Sequence, residues 1–221
     1  MDAAALEKAA HSPRVHEARP VVVKIGGSVV RSGRLAPWLD AMTAAEQKIV
    51  VVPGGGALAD EVRSCQRQLG FGDPAAHRMA LLAMDQLAWA VAGMRPGLEV
   101  GTTEAALGAI LDRGHVAVWA PYALIGERTD IEESWRLTSD SLALWLAGKL
   151  AADRCYLIKS IAAPRGTRGA QALARDGVVD EAFPALLAET GVRAMIFGHG
   201  DQQSFAASLA GDAAPAGVRI E

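Results

Sequence analysis

The sequence predicts an α/β fold, a three-layer sandwich in which a mainly parallel sheet lies between helices on both faces. Three observations carry this. Strand-like and helix-like segments alternate along the chain. The strand-like segments are apolar at consecutive positions, which marks strands buried on both faces. Hydrophobic residues make up 51 % of the 221 residues but aromatics only 5 %. Such a core is mostly Ala, Leu and Val, which suits helices packed closely on a sheet.

The elements follow in order. Residues 1–19 carry Asp2, Glu7, Lys8, Arg14, Glu17 and Arg19 and lack an apolar stretch, so they read as a flexible extension before a single domain over 20–221. Val21 to Val23 begins the first strand, which runs into Lys24-Ile25-Gly26-Gly27-Ser28. A helix over about Leu35 to Glu46 leads to a second strand, Lys48 to Val52, which ends at Pro53-Gly54-Gly55-Gly56. Helices are expected over Ala57 to Leu69 and from Pro74 to about Met94, with Asp73 as the cap of the latter. Thr102 is the candidate cap of a shorter helix to Leu111, and Val116 to Trp119 is a strand. A polar loop over Gly126 to Trp135 precedes a helix over Ser139 to Leu150. Tyr156 to Ile158 is a strand, 160 to 178 an irregular loop, and Asp180 to Glu189 a helix. Met195 to Phe197 is a strand running into Gly198-His199-Gly200; a helix capped by Asp201 and an edge strand over Val218 to Ile220 close the chain.

Composition narrows the function classes. A net charge of −3 offers no polyanion-binding surface, so nucleic acid is not an expected partner. No apolar run is long enough to span a bilayer, and no signal peptide is visible. Cys65 and Cys155 lie far apart without metal-ligand spacing. They read as reduced thiols in a cytoplasmic protein.

The chemistry concentrates where strands end, because ligands of open parallel sheets bind beyond the carboxyl ends of the strands. The clusters Gly26-Gly27, Gly54-Gly55-Gly56 and Gly198-His199-Gly200 all fall there. Backbone N–H groups at such turns cradle anionic oxygens. Neither of the first two turns is a P-loop or a dinucleotide fingerprint. Lys24 is the one charge between Val21 and Val30. A lysine at a buried strand end needs an anionic partner, either a structural carboxylate or a phosphate in transfer. Thr138-Ser139-Asp140 opens a helix, where Asp140 supplies acidic first-turn charge, accepts hydrogen bonds from Lys24, or holds a magnesium ion. The five histidines, His11, His16, His77, His115 and His199, show no helical metal-ligand pairing; His77 reads as structural and His199 as a nucleotide contact.

Val23-Lys24-Ile25-Gly26-Gly27-Ser28, then Val52-Pro53-Gly54-Gly55-Gly56, then Thr138-Ser139-Asp140-Ser141-Leu142-Ala143 together resemble the amino acid kinase superfamily. More narrowly, the chain is similar to the archaeal aminomethylfuran-methyl phosphate kinases of methanofuran biosynthesis. Thr129-Asp130-Ile131 with Ser134-Trp135, and Val179-Asp180-Glu181 with Phe183-Pro184, point the same way. The resemblance implies transfer of the γ-phosphoryl of ATP, with Mg2+ carried by the nucleotide and not by protein ligands. It implies that Lys24 binds the transferring group and Asp140 orients the lysine. The amides of Gly26, Gly27 and Gly54 to Gly56 would cradle phosphates, and the Ser28 hydroxyl would donate to one. Gly54 to Gly56, Ser139, Asp130 and Trp135 would face a phosphorylated acceptor, Asp130 holding its ammonium and Trp135 its ring. A homo-oligomer is implied as well, with the apolar helix from Pro74 to Met94 as its contact. One departure stands out. Where the superfamily carries an acidic segment after the Tyr156 to Ile158 strand, this chain reads Lys159-Ser160-Ile161-Ala162-Ala163-Pro164-Arg165-Gly166, and Lys159 is assigned to phosphate instead. That departure leaves a second class open, a protein that binds nucleotide or oxyanion without transfer.

Overall fold

A computed structural model describes residues 19–162, 168–211 and 217–221. Most of the N-terminal extension, and the stretch Ala163 to Gly166 of the departure after Lys159, lie outside the described residues. The strands are β1 (Val21–Ile25), β2 (Ile49–Pro53), β3 (Leu98–Gly101), β4 (Val116–Trp119), β5 (Arg154–Ile158), β6 (Arg193–Phe197) and β7 (Val218–Ile220). They form a seven-stranded sheet in the order β3-β4-β2-β1-β5-β6-β7. Every pairing is parallel except β6 with β7, which is antiparallel.

The period of two along each strand assigns its side chains to two cores. On one face, Val22, Val50 and Val52 pack with Leu81, Trp119, Leu142, Leu146 and Phe183. On the other, Val21, Val23 and Ile25 pack with Trp38, Leu39, Met42 and Phe205. β1 and β2 are buried at all five positions, as strands covered on both sides must be. Among the described residues no helix is long and apolar enough to cross a membrane.

The helices that frame the sheet's carboxyl edge are α1 (Gly27–Arg31), α3 (Gly56–Leu69), α4 (Asp73–Ala92) and α7 (Ser139–Lys149). The other six are α2 (Ala36–Thr43), α5 (Glu104–Asp112), α6 (Tyr122–Ile125), α8 (Ala170–Arg175), α9 (Phe183–Thr190) and α10 (Gln202–Ala210). Several boundaries differ from the sequence reading, for local reasons. Thr103, not Thr102, caps α5, its side chain accepting from the Ala106 amide at 3.1 Å. Gly72, not Asp73, is the N-cap of α4. Asp180 lies before α9, outside it. Strand β3 was not expected, because its four residues include Glu99 and show no long apolar run. Helix α8 falls inside the stretch read as irregular, and it buries only Ala170 and Leu173.

Candidate active site

The parallel register of β1 and β5 pairs Lys24 with Leu157 and Ile25 with Ile158. It thereby brings Lys24 and Lys159 to the same edge of the sheet. Asp140, in the first turn of α7, reaches between them. Its Oδ1 forms an ion pair with Lys24 Nζ at 2.7 Å, and its Oδ2 accepts a hydrogen bond from Lys159 Nζ at 2.6 Å. All three side chains are buried or nearly so, with 6 % of Lys24, 8 % of Asp140 and 13 % of Lys159 exposed. Burial alone would push the Asp140 carboxyl up, but the Lys159 and Lys24 ammonium groups outweigh it and hold the carboxyl at about 2. Lys159 shifts down, because burial and the neighbouring Lys24 charge outweigh its share of the carboxylate. Two ammonium groups on one carboxylate leave a net positive centre, which suits an incoming anion. Each carboxylate oxygen faces one ammonium group, so Asp140 serves as the shared partner of the two lysines.

The two glycine turns lie against each other beside this centre. A Cβ added to Gly27 would sit 2.3 Å from the Gly56 Cα, so the turns touch backbone to backbone, and only glycine fits. Gly56 has φ +54°, the left-handed region that favours glycine. The expectation that all five glycine amides face a phosphate is corrected here. The Gly26 amide donates to Ile158 O at 2.9 Å and the Gly54 amide to Ile25 O at 2.8 Å, extending the sheet ladder beyond the strands. The amides of Gly27, Gly55 and Gly56 have no acceptor among the described residues. Those three remain for an anion.

On one side of the turns lies a cavity of about 280 Å3. Its walls come from α3, α4 and the segment before α7, and its lining includes Arg31, Arg63, His77, Trp135 and Ser139. Ser139 Oγ lies close to the Gly54 turn, 3.2 Å from where a Gly54 Cβ would be. Trp135 is fixed by three groups. Its indole N–H donates to Gln66 Oε1 at 2.6 Å, Gln66 donates to Asp73 Oδ1 at 2.7 Å, and the Arg63 guanidinium lies 4.0 Å from the ring centroid. Ser28 lines the cavity as well, and its Oγ donates to Ser160 Oγ at 2.8 Å. Lys159, Ser160, His199 and Trp38 line a separate depression of about 30 Å3. His199 is exposed, and its amide donates to Ile161 O at 3.0 Å.

Asp130 is not brought to the cavity. It is exposed, and the Arg128 guanidinium grips it with two bonds of 2.8 and 2.7 Å. Two residues apart in a turn, they satisfy each other locally. Asp180 is the residue whose part in this arrangement the sequence reading did not assign. Its carboxylate accepts from the Thr138 amide (2.9 Å), the Thr138 hydroxyl (2.8 Å) and the Ser141 amide (3.1 Å), and it also bonds the Ser141 hydroxyl. It thus caps α7 from a distant segment, where Thr138 makes no side-chain cap bond of its own. Its sequence signal was only its place in Val179-Asp180-Glu181. Among the described residues no group of three or more His, Cys, Asp or Glu side chains could hold a metal ion.

Comparison with known proteins adds four findings. Residues 19–163 match the model of the amino acid kinase family. Over 146 residues the chain is 32 % identical to the [5-(aminomethyl)furan-3-yl]methyl phosphate kinase of Methanocaldococcus jannaschii, a stretch spanning 62 % of this chain and 63 % of that relative. Among solved structures it is similar to a uridylate kinase from Archaeoglobus fulgidus, with a TM-score of 0.69, 18 % identity, and coverage of 91 % of this chain and 100 % of that one. It is also similar to a UMP kinase from Bacillus anthracis, with a TM-score of 0.67, 14 % identity, and coverage of 92 % and 96 %.

Proposed function

The chain belongs to the amino acid kinase family, and from that premise we propose that it is a kinase that moves the γ-phosphoryl of ATP onto the phosphate of a small amine-bearing ester. The class of acceptor is that of the methanocaldococcal relative, an aminomethylfuran-methyl phosphate. The observation that carries the reading is the Lys24–Asp140–Lys159 bridge, set between two glycine turns and beside a cavity large enough for such an ester.

In this reading the γ-phosphoryl lies against the Lys24 and Lys159 ammonium groups, which neutralise charge on its equatorial oxygens. Asp140 holds the two lysines at one point. The free amides of Gly27, Gly55 and Gly56 bond the phosphates on either side. The acceptor phosphate enters from the cavity, with Arg31, Arg63 and Ser139 around it. One of its oxygens attacks the γ-phosphorus; the new P–O bond forms as the bond to the β-phosphate oxygen breaks, and ADP leaves. Magnesium arriving with ATP supplies further charge neutralisation on the phosphates. Ser160 and His199 line the depression assigned to the nucleotide, and Ser28 joins it to the cavity through its bond to Ser160.

Phosphorus NMR of the protein with ATP, magnesium and the aminomethylfuran phosphate tests this. The expected outcome is ADP and a new diphosphate ester, with Lys24→Ala slower by at least about a hundredfold. ATP that stays intact with this acceptor and with a panel of amine phosphomonoesters sinks the reading. Tight ATP binding without turnover would instead favour a binding protein, which the missing acidic segment after β5 motivates.

The same proposal includes a homo-oligomer. Leu82 and Trp89 on α4 are 43 % and 68 % exposed, and Leu69 at the end of α3 is 77 % exposed. Sedimentation is expected to show a species heavier than the 23.1 kDa monomer; a monomer at micromolar concentration refutes it.

A further inference from the structure

The cavity has two ends, and the helices order them. Cβ atoms built on Gly55 and Gly56 would stand 3.6 Å from Ala83 Cβ and 3.0 Å from Leu87 Cδ1 of α4. His77 lines the same cavity but stands six residues before Ala83 and ten before Leu87 on that helix, about 9 and 15 Å along its axis. Trp135 shares the far end, since its partner Gln66 is bonded to Asp73 at the start of α4. Between the ends the lining is apolar, with Ala80, Leu81, Met84 and Leu142.

At the far end the polar atoms are already engaged, with one exception. The Trp135 N–H is bonded to Gln66. Ser134 Oγ donates to Glu132 and accepts from the Arg136 amide. The His77 side chain is 6 % exposed, and its Nε2 is buried without a partner among the described residues. An unsatisfied buried nitrogen on a residue that lines a ligand cavity calls for a ligand group. Burial lowers the His77 pKa, so the ring is neutral near pH 7 and carries one acceptor nitrogen. Arg31 pairs with Asp60 of α3 at 3.4 Å, whereas Arg63 reaches from Asp60 (3.5 Å) to the Trp135 ring. The charged groups acting on His77 are Glu133 and Arg78, paired with each other at 3.1 Å. The free amides of the glycine turn place a phosphate at that end, and the unpartnered His77 nitrogen places a hydrogen-bond donor at the other.

We infer that His77 is the specificity-determining residue for the acceptor, its imidazole accepting a hydrogen bond from a primary ammonium at the end remote from the phosphate. This rests on the kinase reading above, and it gives to His77 the role that the sequence reading gave to Asp130.

The test measures binding by calorimetry with the full chain, using the aminomethylfuran phosphate and an analogue with methyl in place of aminomethyl. Losing the amine is expected to weaken binding to the unsubstituted protein about 10- to 100-fold, the worth of a hydrogen bond to a charged group. In His77→Leu the two compounds should bind within a few fold of each other, with ATP affinity unchanged. Undiminished discrimination in His77→Leu overturns the inference. Should that variant fail to fold, nitrogen NMR of the unsubstituted protein decides. The His77 ring resonances should move with the amine compound and stay with the methyl analogue; equal or absent shifts overturn the assignment. If neither furan binds, the substrate proposed above fails, and a panel of aminoalkyl phosphates read by the same resonances judges His77 alone. Movement upholds it and silence removes it.

Discussion

The two sides of the Asp140 carboxylate are built from different materials. On the cavity side the walls are α3 and α4, fourteen and twenty residues long, with Trp135 locked by Gln66 and Arg63. On the other side the surroundings are the segments that follow β5 and β6, with exposed side chains such as Ser160 and His199. Helices hold side chains in packed rotamers, whereas turns mostly offer backbone groups. Under the proposed function the difference locates selectivity. The cavity side would distinguish one acceptor from another by shape and by a single nitrogen, and the turn side would hold phosphates that every nucleotide shares.

The centre between them should give the largest effect. Asp140→Ala leaves two buried ammonium groups without their counter-ion, which costs about 3–5 kcal/mol of stability and on the order of 1,000-fold in kcat. Thermal melting and steady-state kinetics check both, and an active, stable variant would separate the two sides altogether. The pH sense follows from the same pair. Because folding depresses the Asp140 pKa to about 2, its contribution is full above the ordinary value of 3.8 and is lost as pH falls towards 2.

Next comes the contact between the turns. Gly27→Ala places a methyl 2.3 Å from the Gly56 Cα, so backbone must move, at a cost of about 3 kcal/mol. Both ATP and acceptor affinities should fall, since one turn serves each side; a loss confined to one ligand would show that the turns act independently. Asp180→Ala is expected to be milder. It leaves the Thr138 and Ser141 amides without their acceptor, worth about 2 kcal/mol in melting experiments, and it should lower kcat with little change in either KM.

The alkaline limb of kcat/KM sharpens the contrast further. Burial, and then the Lys24 charge, lower Lys159 from its usual 10.5, so activity should decline below the ordinary lysine range. Lys159→Arg keeps its charge to higher pH and should move that limb upward; an unmoved limb assigns the titration elsewhere. The smallest effect is expected at Asp130. Its carboxylate serves Arg128 and not the cavity, so Asp130→Asn should leave the acceptor KM unchanged. A raised KM would return the loop to the acceptor site.

Much of this molecule was legible in local sequence. Val21 to Ile25 and Ile49 to Pro53 are buried strands because their side chains are apolar on both faces, and glycines at their ends mark turns that approach a ligand. Lys24 and Asp140 stood out because charge is rare at a buried strand end and ordinary at a helix start. Strand β3 and helix α8 were not legible, since each is short and stabilised by what it packs against. Only the tertiary structure decided which groups meet. The pairing of β1 with β5 brings Lys159 to the carboxylate that Lys24 already holds. The same pairing engages the Gly26 amide with Ile158 and takes it from the phosphate cradle. Asp180 reached α7, and Asp130 stayed with Arg128, for a common reason. A carboxylate goes to the donors that the fold brings nearest, and sequence spacing reports those donors only when they lie within a turn or two of chain.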